Sequence, residues 1–149
     1  MKLTVATPLA VIVDADSVGH VRAEDASGAF GILPRHADFL TMLAVSVITW
    51  RDAEGAEHHV AVRGGMLAVR SGDKVSVATP EAVAGDDLHT LETDVLSAFR
   101  RQLSEERAAR TDAQRLYLAA IRQIVRFLRP QKTEPIPTVA PAAEIGSFE

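Results

Sequence analysis

The hydrophobic period of the chain changes once, near Gly85, and this change limits the folds open to it. Up to residue 84 the apolar residues come in short alternating runs. Leu3 and Val5 alternate with Lys2 and Thr4, and Leu9, Val11 and Val13 follow with the same spacing. Each run presents one mostly apolar face, as a half-buried strand does. From Leu88 onward the spacing becomes three and four. Leu88, Leu91, Val95, Phe99 and Leu103 then share one side of a helix. The sequence therefore predicts a β part followed by an α part.

Turn signals divide the β part closely. Thr7-Pro8 separates the first two strands, and Ser17 to His20 forms a turn or bulge. Met42 to Trp50 is an apolar, β-branched run, with Asp52 to Gly55 as a polar turn and His58 to Val62 as its returning partner. Gly64-Gly65 punctuates as a tight reversal, for which glycine tolerates positive φ. Leu67 and Val69, then Val75 and Val77 beyond Ser71-Gly72-Asp73, complete the set. Many short strands at this spacing predict a β-sandwich or flattened barrel over residues 1–84.

The α part opens with Asp86 and Asp87, whose charge complements a helix N-terminus. Thr111-Asp-Ala-Gln114 has the form of a capping box opening a second helix. That helix is apolar at Tyr117, Leu118, Ile121, Ile124, Val125 and Leu128, and Pro130 closes it. The pattern predicts an antiparallel two-helix hairpin over residues 85–130. Pro135, Pro137 and Pro141 predict a mobile Pro/Ala-rich tail over 131–149.

Composition excludes several function classes. The net charge of −4 argues against nucleic-acid binding. Charge is unevenly spread: residues 1–85 carry seven basic and ten acidic side chains, residues 86–132 nine and seven. The absence of cysteine excludes disulfides, thiolate metal sites and thiol nucleophiles. No apolar run approaches the roughly 20 residues needed to span a bilayer. Leu3 to Val13 is interrupted by Thr4, Thr7 and Pro8 and runs into Asp14 and Asp16, so it is expected to form strands rather than a signal peptide.

Catalytic and metal signals are weak. His58 and His59 are adjacent in a strand, so their side chains point to opposite faces and chelate one ion poorly. His20, His36 and His89 stand apart from them, and no helical His-x-x-x-His occurs. Neither a Gly-x-Ser-x-Gly elbow nor a Gly-x-x-x-x-Gly-Lys phosphate loop is present. No metal, no cofactor and no catalytic residue are expected, and the chain reads as a non-enzyme.

Two motifs carry more information. Gly28, Gly31, Ile32, Leu33, Pro34 and His36 spell Gly-x-x-Gly-Ile-Leu-Pro-x-His, with Pro34 ending the strand and Phe39 and Leu40 leading back toward a core. Val62-Arg-Gly-Gly-Met-Leu-Ala-Val69 spells Val-x-Gly-Gly-x-Leu-x-Val. Together they resemble the epsilon subunit of the bacterial F-type ATP synthase over residues 1 to about 130. Departures from the family pattern are Ala29 in place of an acidic residue, Asp38 in place of proline, and Pro80 in place of aspartate.

The resemblance implies a non-catalytic central-stalk subunit that couples rotation of a membrane ring to ATP synthesis or hydrolysis, with proton or sodium transport. It implies docking to the gamma subunit and rotor ring through Phe30, Ile32, Leu33, Pro34, Arg35 and His36. The C-terminal helices would reach the catalytic alpha and beta subunits and inhibit ATPase activity. Arg115, Arg122, Arg126 and Arg129 form a stripe about 60° wide opposite the apolar face, compatible with an acidic partner and equally with a solvated face. Some relatives bind ATP through Ile/Leu-Asp-x-x-Arg-Ala; here Leu103-Ser-Glu-Glu-Arg-Ala108 keeps Arg107 but has Ser104 in place of the carboxylate. This remnant implies weak or no ATP binding. The location implied is the cytoplasmic side of a bacterial plasma (inner) membrane, peripheral and through the complex alone. The alternative is an unrelated self-associating binding module with a β-sandwich ligand domain.

Overall fold

The structure, a computed structural model, describes residues 1–128; the tail expected over 131–149 lies outside the described residues, as do Arg129 and Pro130. Eight strands come first: β1 Lys2–Ala6, β2 Val11–Ala15, β3 His20–Asp25, β4 Gly28–Ile32, β5 Phe39–Arg51, β6 Glu57–Arg70, β7 Lys74–Ala78 and β8 Ala82–Gly85. A helical run follows, of α1 Leu88–Thr90, a π-helical turn Leu91–Val95, and α2 Leu96–Leu128. The strand order is β2-β1-β7-β6-β5-β3-β4, with β8 on β6. Only β1 and β7 pair in parallel; the other ladders are antiparallel. The expected β-sandwich followed by helix is the architecture found. By compactness the chain divides into one unit of Met1–Ala109 and a second beginning at Arg110.

The long strands β5 and β6 hold the sheet to one core. In β6 the core positions are Val60 and Val62, then Leu67 and Val69. The alternation thus changes phase between Val62 and Leu67. In β5 it changes between Leu43 and Ile48. The ladder pairs Leu43 with Gly65 and Val45 with Arg63, passing over Ala44 and Gly64. A phase change of this kind bends a strand pair and brings its opposite face to the core beyond the bend. Gly64 and Gly65 have φ of 74° and 118°, conformations closed to most side chains. No reversal occurs at the glycines, contrary to the sequence expectation. The chain runs on in one 14-residue strand, because the bend is taken up within the ladder.

The sheet core contains Leu3, Val5, Val21, Ile32, Ile48, Val60, Val62, Leu67, Val75 and Val77, all fully or almost fully buried. Each such side chain contributes about 1.5–3 kcal/mol by leaving water. A second cluster lies on the outer face of β5 and β6: Ala61 with Leu91, Leu96 and Phe99, flanked by Val45, Val47 and Val95. The π-helical turn explains its membership. Leu96 lies five positions on from Leu91, one π turn, so both side chains reach the same side. Period reasoning at 3.6 missed Leu96 and gave more weight to Leu88, which is exposed.

The helical hairpin is not found. α2 continues through Thr111 to Leu128 without a break. A capping box acts only where the preceding residue leaves helical geometry. Here Ala108, Ala109 and Arg110 are strong helix formers with no Gly or Pro among them, so nothing stops the helix. The true cap lies earlier. Asp87 accepts from the backbone N–H of His89 at 3.0 Å and from the Thr90 hydroxyl at 2.6 Å.

The bend is testable at one atom. A Cβ at Gly65 would lie 2.2 Å from the Ala78 carbonyl oxygen, whereas one at Gly55 (φ 85°) meets open space. Gly65→Ala should destabilise the protein by about 3 kcal/mol and Gly55→Ala by about 1 kcal/mol. Thermal denaturation of both variants measures the difference.

Candidate docking surface

The Gly-Ile-Leu-Pro corner is held from two sides. β4 pairs with β3 along its whole length, Val21 opposite Ile32 and Asp25 opposite Gly28. Beyond Ile32 the chain leaves the ladder and turns, with the His36 N–H donating to the Leu33 carbonyl at 3.2 Å. Arg35 takes a left-handed φ of 67° and donates its N–H to the Gly72 carbonyl at 2.7 Å. Ser71, also left-handed at φ 54°, donates its N–H to Asp38 Oδ1 at 2.8 Å. Non-glycine residues in this region cost about 1 kcal/mol or more each. The two strained turns brace each other, so the corner is a fixed shape.

Three rings line it. Phe30 and Phe39 meet edge to face at 5.6 Å, and His36 and Phe39 at 6.0 Å. The His36 ring is further fixed by Nδ1 at 2.7 Å from the Ala37 carbonyl oxygen. Leu33 (60% exposed), Pro34 and Arg35 project to solvent. Ile32 is a correction to the sequence reading. It is fully buried in the sheet core and forms no part of a surface.

Asp25 ties this region to the start of β5. Its Oδ1 accepts from the Ser27 N–H at 2.8 Å and hydroxyl at 2.6 Å, and its Oδ2 from the Thr41 hydroxyl at 2.8 Å. These bonds, led by the Ser27 hydroxyl, hold its carboxyl below the usual carboxylate range.

A second apolar surface was missed by the sequence reading, which sent Phe39 and Leu40 toward the core. Leu40 and Met42 are each 63% exposed. They pair across the ladder with Ala68 and Met66, and Met66 is exposed too. Alternation gives the reason: Leu43 takes the core position, so Leu40 and Met42 point away from it. The signal was available, since both faces of this run are apolar and one sheet face alone fills the core.

The other candidate residues lie on α2. Ser104 and Arg107 are exposed and three apart. In the second unit Arg115, Arg122 and Arg126 are exposed, and Arg115 lies 3.7 Å from Asp112. An ion pair that exposed adds little stability. Leu116, Tyr117, Leu118, Ile124, Phe127 and Leu128 are exposed on the same helix. His58 and His59 do diverge: Nε2 of His58 lies 2.9 Å from Asp52 and its ring stacks on Trp50, whereas Nδ1 of His59 lies 3.0 Å from the Thr49 hydroxyl. Among the described residues no three metal-binding side chains converge, and no helix is long and apolar enough to cross a membrane.

A braced, ring-lined corner and an open apolar sheet face make the β part a candidate docking module. Residues 1–85 match the family described as ATP synthase, Delta/Epsilon chain, beta-sandwich domain. An ATP synthase epsilon chain 2 of Paraburkholderia xenovorans (strain LB400) is 42% identical over 132 residues, 89% of this chain and 95% of its own length. Another epsilon chain 2, from Cereibacter sphaeroides, is 41% identical over 128 residues, 86% of this chain and 88% of that one. Among solved structures, a chain of the Euglena gracilis mitochondrial ATP synthase (OSCP/F1/c-ring) shares the fold, with a TM-score of 0.54 at 24% identity. The alignment covers 71% of this chain and 62% of that one. The chain belongs to the ATP synthase delta/epsilon family, as an epsilon chain: a non-catalytic subunit of the central stalk.

The Asp25 bonds give a pH dependence with a defined sign. A carboxyl whose pKa is depressed by folding stabilises the folded state above its unfolded value, about pH 4. That stabilisation is lost as pH falls through the lower, folded value. Asp25→Asn should therefore be less stable than the parent at pH 7, and the gap should narrow as pH falls below the unfolded value of about 4. Urea unfolding of both proteins across this range measures it.

Proposed function

We propose that this chain docks the gamma subunit and the membrane rotor ring through its β domain, and so couples ring rotation to ATP synthesis or hydrolysis. The observation that carries the reading is the apolar surface left open on the long strands β5 and β6 and the corner beside them. Leu33, Phe39, Leu40, Met42 and Met66 are all exposed. Exposed apolar residues grouped on one sheet mark an interaction surface. Phe30, Leu33, Pro34, Arg35 and His36 form the docking corner in this reading, with Ile32 supporting them from the core. The complex transports protons or sodium ions, and the chain sits peripherally on the cytoplasmic side of a bacterial plasma membrane.

Two relatives similar over the sheet and beyond it are named epsilon chain 2. This favours a second, variant synthase as the complex the chain serves. The division of labour in this reading is docking by residues 1–84 and regulation by 85–130. The exposed apolar and arginine side chains of α2 would meet the catalytic alpha and beta subunits, Arg115, Arg122 and Arg126 facing an acidic segment there.

The deciding experiment is a pull-down of the tagged chain from detergent-solubilised membranes, read by mass spectrometry. Recovery of alpha, beta and gamma subunits with the ring is expected; recovery of the chain alone as a free oligomer would sink the stalk reading. The sheet core, with the residues packed against it, draws nothing from beyond Ala82. A chain truncated before Asp86 should therefore still assemble, while ATPase inhibition changes. Charge reversal at Arg122 and Arg126 should weaken inhibition in an ATPase assay. Calorimetry of the isolated chain with ATP should give no micromolar binding, since Ser104 lacks the carboxylate.

A further inference from the structure

Arg63 stands on the outer face of β6, two residues from Ala61, the residue beneath Leu91, Leu96 and Phe99. Its side chain is only 15% exposed. Nη1 donates to Glu106 Oε1 on α2 at 2.6 Å, joining positions 43 residues apart. Nε lies 3.5 Å from Glu81 Oε2, just ahead of β8, too poorly aligned to be a hydrogen bond, and is otherwise unpartnered. The Arg63 N–H also donates to the Glu81 carbonyl at 3.0 Å. One guanidinium thus faces two carboxylates from different elements.

The apolar seat of the helix on the sheet ends at Phe99. Glu106 is two helical turns further on. Between Phe99 and Glu106 every α2 residue except Leu103 is exposed. The ion pair is therefore the outer fastening of this part of the helix.

We propose that Arg63 and Glu106 form a latch that sets how firmly α2, up to Glu106, stays seated on the sheet. The proposal rests on reading the helix as a regulatory element. Its physical basis is an asymmetry. Loss of Glu106 alone leaves a largely buried guanidinium with only the misaligned Glu81 contact, which is costly. The Glu106 carboxylate is already part exposed, and lifting the helix lets water reach the Arg63 guanidinium too, so the pair opens reversibly. Apolar contacts alone would give no such charge-dependent release.

The chain has no cysteine. Ala61→Cys therefore places a single thiol under the helix, at a site with no exposure. In the full chain, its modification rate by a small thiol reagent reads how often the helix lifts. Val47→Cys, in the same cluster, is a second reporter if the first variant fails to fold. Glu106→Gln and Arg63→Met should each raise the rate roughly tenfold, and the double variant no further than either alone. Unchanged rates in the single variants, or independent effects that multiply in the double, would overturn the latch. Because these rates are read on the isolated chain, they stand apart from the pull-down. A chain that fails to join a synthase would remove the stalk reading and leave the rates as measured.

Discussion

The bend at Gly64 and Gly65 is the constraint on which the rest of the molecule depends. A flat 14-residue strand would keep one face toward the core along its whole length. The change of phase lets β6 use Val60 and Val62 on one side of the bend and Leu67 and Val69 on the other. It also turns Ala61 and Arg63 outward, where the helix lies. The outward turn of Leu40, Met42 and Met66 follows from the same geometry. One backbone event thus determines the core, the seat of the helix and the open apolar surface.

The docking corner is rigid because its strain is shared. Arg35 and Ser71 both occupy left-handed backbone, and each lies in a turn bonded to the other: Arg35 to Gly72, and Ser71 to Asp38. Neither turn could hold its shape as cheaply alone, since each supplies the acceptor or donor that the other needs. A corner held in this way has little ordering entropy left to lose on any contact. The helix is seated differently, through Leu91, Leu96 and Phe99, with the Arg63–Glu106 ion pair two turns beyond them.

Much of this was legible in the sequence, for identifiable reasons. Period two before Gly85 and period three to four after it follow from backbone geometry alone, and both elements formed where those periods stood. The Asp87 cap and the divergence of His58 from His59 were readable for the same reason. The hairpin was not. Thr111 and Gln114 carry capping chemistry, but a cap competes with helix continuation, and Ala108-Ala109-Arg110 favours continuation. Leu96 was missed because a π turn adds a residue to the period. Ile32 was taken for surface and Leu40 for core because a two-residue period does not say which phase faces inward.

The sequence by itself determined the order of elements, the exclusion of thiol chemistry, and the two glycine-bearing motifs that mark the family. These depend on local backbone preference and composition, which a linear string contains. Tertiary structure alone decided which face of each strand is buried, where the helix rests on the sheet, and that Arg63 meets Glu106 across 43 residues. Those outcomes depend on contacts between distant segments. Burial is a property of the packed whole, so no single segment carries it.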